Sequence, residues 1–176
     1  MAKTSANNVA AATSQSTLRS RPRGQRILLL ALVLSIFLAS TNAAMQDFLG
    51  KKYQLSDSKN FDEFMQAIGV GFITRKIASA TSPSVEVTEK DGKYTMKTTS
   101  TFKNQVLEFV PGVEFEEETP DDRKVKSTIT FEGNKMIHVQ KGDKLVTIER
   151  EFGPEKMTAV MKVDDIVCTR TYDLEK

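Results

Sequence analysis

The residues best placed for chemistry lie near the C-terminus, an arginine and a tyrosine two positions apart, Arg170 and Tyr172. Ile166-Val167-Cys168-Thr169-Arg170-Thr171-Tyr172 reads as a β-strand, which puts Ile166, Cys168, Arg170 and Tyr172 on one face. If that face looks inward, a guanidinium lies inside the protein. It cannot shed its charge there, so it needs an anion. An anionic ligand is one solution and an internal ion pair is the other; the strand by itself favours the pair. Arg150 repeats the pattern, since Val146, Ile148 and Arg150 share one face of a second alternating run.

The remaining reactive residue types are sparse. His138 is the single histidine, and it lies in a strand pattern that suits a surface or hydrogen-bonded role. No metal-spaced Cys/His set and no Gly-rich phosphate loop is present. Asp121-Asp122 and Asp164-Asp165 sit at turn positions, where acids are good turn formers. No catalytic residue, metal or cofactor is therefore expected, and the chain does not read as an enzyme. Cys168 is the sole cysteine, so an intrachain disulfide is impossible, which fits a reducing compartment. Its neighbour Arg170 would lower the thiol pKa, but a buried, inert thiol is the expected state.

The elements that position these residues begin after an unusual first quarter. Residues 1–26 are rich in Ala, Ser, Thr and Asn and should be disordered. Residues 27–39 form an apolar run shorter than the ~20 residues of a comfortable membrane span. With a basic flank before it and Thr41-Asn42-Ala43 behind it, this run suits a signal peptide. The alternative is an upstream leader that the working protein lacks, with translation starting at Met45. The domain reading is thus a leader, residues 1–44, and a folded domain, residues 45–176. Lys3, Arg19, Arg21, Arg23 and Arg26 are all in the leader, unopposed by acids. Taking those five from 25 Lys and Arg leaves 20 against 23 Asp and Glu, so residues 45–176 carry a net charge of −3. No basic stripe marks them, and nucleic acid is not an expected partner.

Residues 51–55 alternate as a first strand. Ser58 or Asn60 can cap a helix whose first turn holds Asp62 and Glu63. Phe61, Phe64, Met65 and Ile68 form its apolar face, and Gly69 stops it. Residues 72–80 make a second short helical pattern with Phe72, Ile73 and Ile77, closed by Ser82-Pro83. Both faces are expected to pack into the core. From Val85 onward, nine short alternating segments are separated by turn dipeptides such as Asp91-Gly92, Pro111-Gly112 and Gly142-Asp143.

Ten strands joined by hairpins predict a mainly β fold, an antiparallel up-and-down barrel with a helix-turn-helix lid. Such a barrel is too wide for side chains alone to fill. The half-polar inward faces at Arg150 and Arg170 then suggest a solvated ligand chamber.

The chain carries Lys51-Lys52-Tyr53-Gln54-Leu55, Asn60-Phe61-Asp62-Glu63-Phe64-Met65 and Gly69-Val70-Gly71-Phe72-Ile73-Thr74-Arg75-Lys76. It continues through Ser100-Thr101-Phe102-Lys103-Asn104, Gly112-Val113-Glu114-Phe115, Asp121-Asp122-Arg123-Lys124-Val125-Lys126-Ser127 and Val167-Cys168-Thr169-Arg170-Thr171-Tyr172. With these motifs residues 45–176, about three quarters of the chain, resemble an intracellular fatty acid-binding protein of the muscle and insect type.

The resemblance implies a long-chain fatty acid inside the barrel, its carboxylate held by Arg150, Arg170 and Tyr172. It also implies a portal at Phe102, Arg75 and Lys76. Against it, an internal ion pair becomes the weaker account of Arg170. Burial of the acyl tail is worth up to ~0.8 kcal/mol per methylene, roughly 10 kcal/mol for a long chain before binding costs. A charge-assisted hydrogen bond adds about 1.5–3 kcal/mol. The tail would supply affinity, and the arginines would choose acid over alcohol.

Both arginines being present disfavours retinol but leaves retinoic acid or another hydrophobic acid as an alternative ligand. The resemblance implies a monomer in the cytoplasm, and also the nucleus. Secretion, or membrane anchoring through residues 27–39, is the alternative. Lys51, Lys52, Arg75 and Lys76 would allow transient contact with anionic membranes.

Overall fold

The computed structural model describes residues 47–176. The expectations placed on the leader, including the apolar run 27–39, lie outside the described residues. The elements are, in order, β1 (Lys52–Lys59), α1 (Phe61–Ala67), α2 (Phe72–Ser79), β2 (Ser84–Lys90), β3 (Lys93–Thr99) and β4 (Gln105–Phe109). They continue as β5 (Phe115–Glu118), β6 (Lys124–Glu132), β7 (Lys135–Lys141), β8 (Leu145–Phe152), β9 (Lys156–Val163) and β10 (Ile166–Leu174). The ten strands form one sheet in the order β4-β3-β2-β1-β10-β9-β8-β7-β6-β5, each antiparallel to its neighbours. The predicted barrel and helical lid are what the chain adopts.

Short turns make the meander. Asp91 and Gly92 both have left-handed backbones (φ 54° and 79°), as a two-residue turn matched to the strand twist requires. The sheet curls round so that β1 pairs with β10 as well as β2. A register shift between Leu55 and Asp57 bends β1 where it leaves β2 and follows β10.

Closure is incomplete at one seam. The turn at Pro111-Gly112 predicts a simple hairpin between β4 and β5. Instead β5 begins at Phe115, and the amide of Gly112 donates to the carbonyl of Ile129 in β6 (2.9 Å). The turn is tied to β6, and no ladder joins β4 to β5. Side chains bridge the seam. The Phe109 and Phe115 rings stack at 6.3 Å, and Gln105 Nε2 donates to the carbonyl of Glu118 (3.0 Å).

One end of the barrel is filled by apolar side chains. Phe48 stacks on Phe152 with ring centroids 4.0 Å apart, and Tyr94 packs against both Phe109 and Phe131. Tyr53 is fully buried there and its hydroxyl donates to the carbonyl of Gly153 (3.0 Å). Each such side chain contributes about 1.5–3 kcal/mol of burial. A second cluster joins Phe64, Met65 and Val70 of the helical region to Val146, Ile148, Val163 and Cys168.

The lid departs from the expected local chemistry. β1 runs on to Lys59 because Ser58 and Lys59 pair with Arg170 and Thr169. That removes Ser58 as a cap. Asn60 takes the N-cap position with φ 56° and makes no side-chain cap bond. Its Nδ2 donates instead to the carbonyl of Val167 (3.1 Å), which ties the start of α1 to β10. The second helix does not pack into the core as expected. None of its residues is buried, and Phe72, Ile73 and Ile77 are 63%, 74% and 46% exposed. With only eight residues, α2 touches the fold through Thr74, Arg75 and Ala78 and turns its most apolar side chains outward.

Candidate functional site

The inward faces of β8, β9 and β10 carry the site. Arg150 on β8 is paired with Ala159 on β9, and Ala159 is paired with Arg170 on β10. Two guanidiniums therefore rise from alternate strands with a small side chain between them. Burial alternates along β10 as the sequence required: Cys168, Arg170 and Tyr172 are buried while Thr169 and Thr171 are not.

Neither arginine is neutralised by a directly bonded carboxylate. Among the described residues, Nη1 of Arg150 and Nε of Arg170 are buried without a hydrogen-bond partner. The Arg170 guanidinium lies 3.9 Å from the centroid of the Phe61 ring on α1 and 5.9 Å from that of Tyr172. Burial disfavours the charge of Arg150 most strongly; Tyr172 and Glu117 partly offset this, and Arg170 opposes it further. A group that cannot deprotonate in practice is held under electrostatic stress.

These side chains line an internal cavity of ≈ 180 Å³. Its remaining wall is largely apolar, with Phe61, Phe64, Met65, Val85, Met96, Ile148 and Met161. Phe102, one of the three expected portal residues, is on this wall and half-buried. Arg75 and Lys76 are not. Arg75 turns away from solvent, donating from Nε to Asp62 Oδ1 (3.2 Å) and from a terminal nitrogen to the carbonyl of Val70 (3.1 Å). It fastens α2 to α1. Lys76 is exposed, with its ammonium 5.3 Å from the Phe72 ring centroid.

The sequence reading missed a second polar station. Glu117 on β5 is buried and accepts four hydrogen bonds. Its Oε1 takes Gln105 Nε2 (3.1 Å) and Gln140 Nε2 (3.1 Å). Its Oε2 takes Ser127 Oγ (2.5 Å) and His138 Nε2 (2.8 Å). Burial raises the Glu117 pKa, but the hydrogen bond and charge of His138, with Ser127 and Gln140, outweigh it and bring the value down to about 2. His138 is 1% exposed, so the surface alternative is wrong and the hydrogen-bonded one is right. Burial pushes its pKa down against the pull of Glu117, and Arg150 adds to the push.

The two shifts are compatible. At neutral pH a neutral imidazole donates to a carboxylate; in acid the imidazole charges and the resulting ion pair keeps Glu117 ionised. The signal for this station was available. Glu117 shares a strand face with Phe115, so parity sends it inward despite its acidic neighbours Glu116 and Glu118.

Burial raises the Cys168 thiol to about 11 against the lowering influence of Arg170, so the thiol is inert at neutral pH. Among the described residues, no group of three His, Cys, Asp or Glu is placed to hold a metal.

Residues 49–175 match the model of the lipocalin / cytosolic fatty-acid binding protein family. The chain belongs to that family. It is 47% identical over 130 residues to the muscle fatty acid-binding protein of Schistocerca gregaria, spanning 73% of this chain and 97% of the relative. Among solved structures it resembles a fatty acid-binding protein from Drosophila melanogaster brain tissue, with a TM-score of 0.69 and 50% identity. That likeness covers 72% of this chain and 98% of the other. It also resembles a Schistosoma mansoni fatty acid-binding protein in complex with arachidonic acid, with a TM-score of 0.73 and 37% identity, over 76% of this chain and 99% of the other.

Proposed function

We infer that this family member binds and carries long-chain fatty acids, with the acyl chain in the barrel cavity and the carboxylate held by Arg150, Arg170 and Tyr172. The observation that carries the reading is the pair of buried guanidiniums, each with an unpartnered N–H, flanking Ala159 beside an apolar wall. A carboxylate supplies the missing acceptors and the missing negative charge together. Ionised Glu117 offsets one guanidinium charge, so a monovalent anion completes the balance. The relatives named as fatty acid-binding proteins, one of them holding arachidonic acid, support the same ligand class.

The decisive experiment compares oleic acid with oleyl alcohol on the native chain and on Arg170→Gln. The native protein should prefer the acid, and the substitution should remove most of that preference while the fold persists. An unchanged acid-to-alcohol ratio would overturn the carboxylate assignment.

Delivery at an anionic membrane is supported by a separate observation. The exposed Phe72, Ile73 and Ile77 lie on the same short helix as the exposed Lys76. Apolar insertion beside a cation suits a lipid surface. The docking group is Lys76 with these apolar residues; Arg75 is engaged by Asp62 and Val70. We assign the carrier to the cytoplasm and treat residues 45–176 as its working domain. Intact mass and N-terminal sequence of the protein from native cells would test both.

A further inference from the structure

Two turns border the cavity where the sheet has no ladder. One joins β3 to β4, residues 100–104, and the other joins β5 to β6, residues 119–123. Phe102 and Lys103 of the first turn and Asp121 and Arg123 of the second are on the cavity wall.

Each turn is tied to itself. The amides of Phe102 and Lys103 donate to Ser100 Oγ (3.1 and 3.0 Å), and that hydroxyl donates to the carbonyl of Lys103 (3.0 Å). In the other turn the amide of Asp122 donates to the carbonyl of Thr119, and the amide of Thr119 to the carbonyl of Arg123 (both 2.9 Å). Arg123 Nε donates to Asp121 Oδ2 (2.6 Å). Among the described residues, no backbone hydrogen bond crosses from one turn to the other. A side chain crosses instead. Lys103 Nζ donates to Asp122 Oδ1 and lies 3.9 Å from Glu118 Oε1.

We propose that the Lys103–Asp122 pair is a latch across the open seam, and that a fatty acid enters and leaves the cavity when the latch parts. The proposal rests on the carrier reading above. It adds two residues that set the rate of exchange and not the affinity.

The weakness of the pair suits a gate. Asp122 is exposed, and water and salt screen an exposed ion pair, so it parts and re-forms readily. Once it parts, the two self-tied turns can separate without breaking their own bonds. Phe102 then leaves the cavity wall together with Lys103. Gln105 still holds the seam further along β4, through Glu117 and the carbonyl of Glu118. A latch that closes over the empty and the filled cavity alike raises the barrier to both passages by the same amount. Entry and exit therefore change by one factor, and Kd stays where it was.

Asp122 has a left-handed backbone (φ 68°), which asparagine also tolerates, so Asp122→Asn removes the charge and keeps the turn. Stopped-flow mixing of the full chain with 12-anthroyloxy-oleate reads entry, and displacement by excess oleate reads exit. The substitution should speed both by about two- to fivefold with the same Kd. Added salt should speed exchange in the native protein more than in the variant.

A second variant holds the seam shut. With Lys103→Cys and Asp122→Cys joined by a short bismaleimide, both rates should fall by at least about tenfold. Cys168 is buried, with its thiol raised to about 11, and should not react. Native rates in Asp122→Asn, or a change in one rate alone, overturn the latch. Unhindered exchange in the cross-linked protein means that the acid passes elsewhere, and overturns it too. In each of these cases oleate still binds and the carrier reading stands. Failure of the native protein to bind oleate would remove both.

Discussion

The guanidinium of Arg170 lies 3.9 Å from the ring centroid of Phe61, so the first residue of the lid rests on a buried charge of the cavity. This contact joins α1 to β10 from the inside, while Asn60 joins them from the outside through the carbonyl of Val167. Lid position and charge position are therefore one mechanical problem. Cation–π contact in a desolvated site is worth up to about 2 kcal/mol. Phe61→Ala should loosen α1 by about that amount, read as faster amide hydrogen exchange in residues 61–67 with little change in the strands. Equal exchange in both proteins would show that the ring contributes only bulk.

Arg150 should cost the ligand-free protein stability. Its guanidinium is buried with an unpartnered N–H, and Arg170 repels it from across Ala159. Replacing buried charge by an apolar side chain of similar length is often stabilising by about 1–4 kcal/mol. Arg150→Met should raise the urea midpoint of the free protein while weakening fatty acid binding at least about tenfold. A lower midpoint would mean that Arg150 mainly supports Glu117.

Ala159 provides a test that leaves every charge in place. It is buried between the two arginines, and a larger side chain would fill the space between their guanidiniums. Ala159→Leu should reduce acid binding by more than tenfold, of the order of the lost charge-assisted bonds. Overpacking should also lower stability by about 1–3 kcal/mol. Full acid affinity in the variant would place the carboxylate elsewhere.

Acid should unfold the barrel in two stages that have the same sign. The folded-state pKa of His138 is depressed, so its contribution is intact above its ordinary value of 6.5 and declines as pH falls below that. The folded-state pKa of Glu117 is depressed from 4.5 to about 2, so its contribution is intact above 4.5 and is lost as pH falls toward 2. Urea midpoints measured from pH 8 to pH 2.5 should fall in both windows. Glu117→Gln should flatten the lower one and destabilise the protein by about 2–4 kcal/mol at neutral pH, since it replaces a four-fold acceptor with a weaker one.

The two basic residues of α2 should separate in function. Lys76→Glu should slow fatty acid transfer to anionic vesicles several-fold and reduce its salt sensitivity. Arg75→Glu should instead act through the lid, because Arg75 bonds Asp62 and Val70. Its signature is a lower thermal midpoint. Salt-independent transfer by the native protein would remove the docking reading.

Much of this fold was legible in the chain because its information is local. Alternating side chains and turn dipeptides gave ten strands, and parity on one strand placed Cys168, Arg170 and Tyr172 together on one face, which the fold buries. The family resemblance then fixed the ligand class expected there. The lid misled for the opposite reason. The spacing of Phe72, Ile73 and Ile77 is that of a core-packing helix, and periodicity cannot tell which neighbour will cover a face. Only the assembled fold leaves that face open.

The sequence by itself determined a β-meander with two short helices and put Arg150 and Arg170 each on a half-polar strand face, since strand period and turn chemistry act over a few residues. Tertiary structure decided what surrounds those arginines. Glu117, Ser127 and His138 lie on three successive strands, and Gln105 reaches Glu117 across the one seam that has no ladder. Their meeting depends on how the sheet curls and where it fails to close, which no spacing along the chain encodes. The carboxylate takes four donors within that network, and neither arginine is among them: one N–H of each is buried without a partner among the described residues.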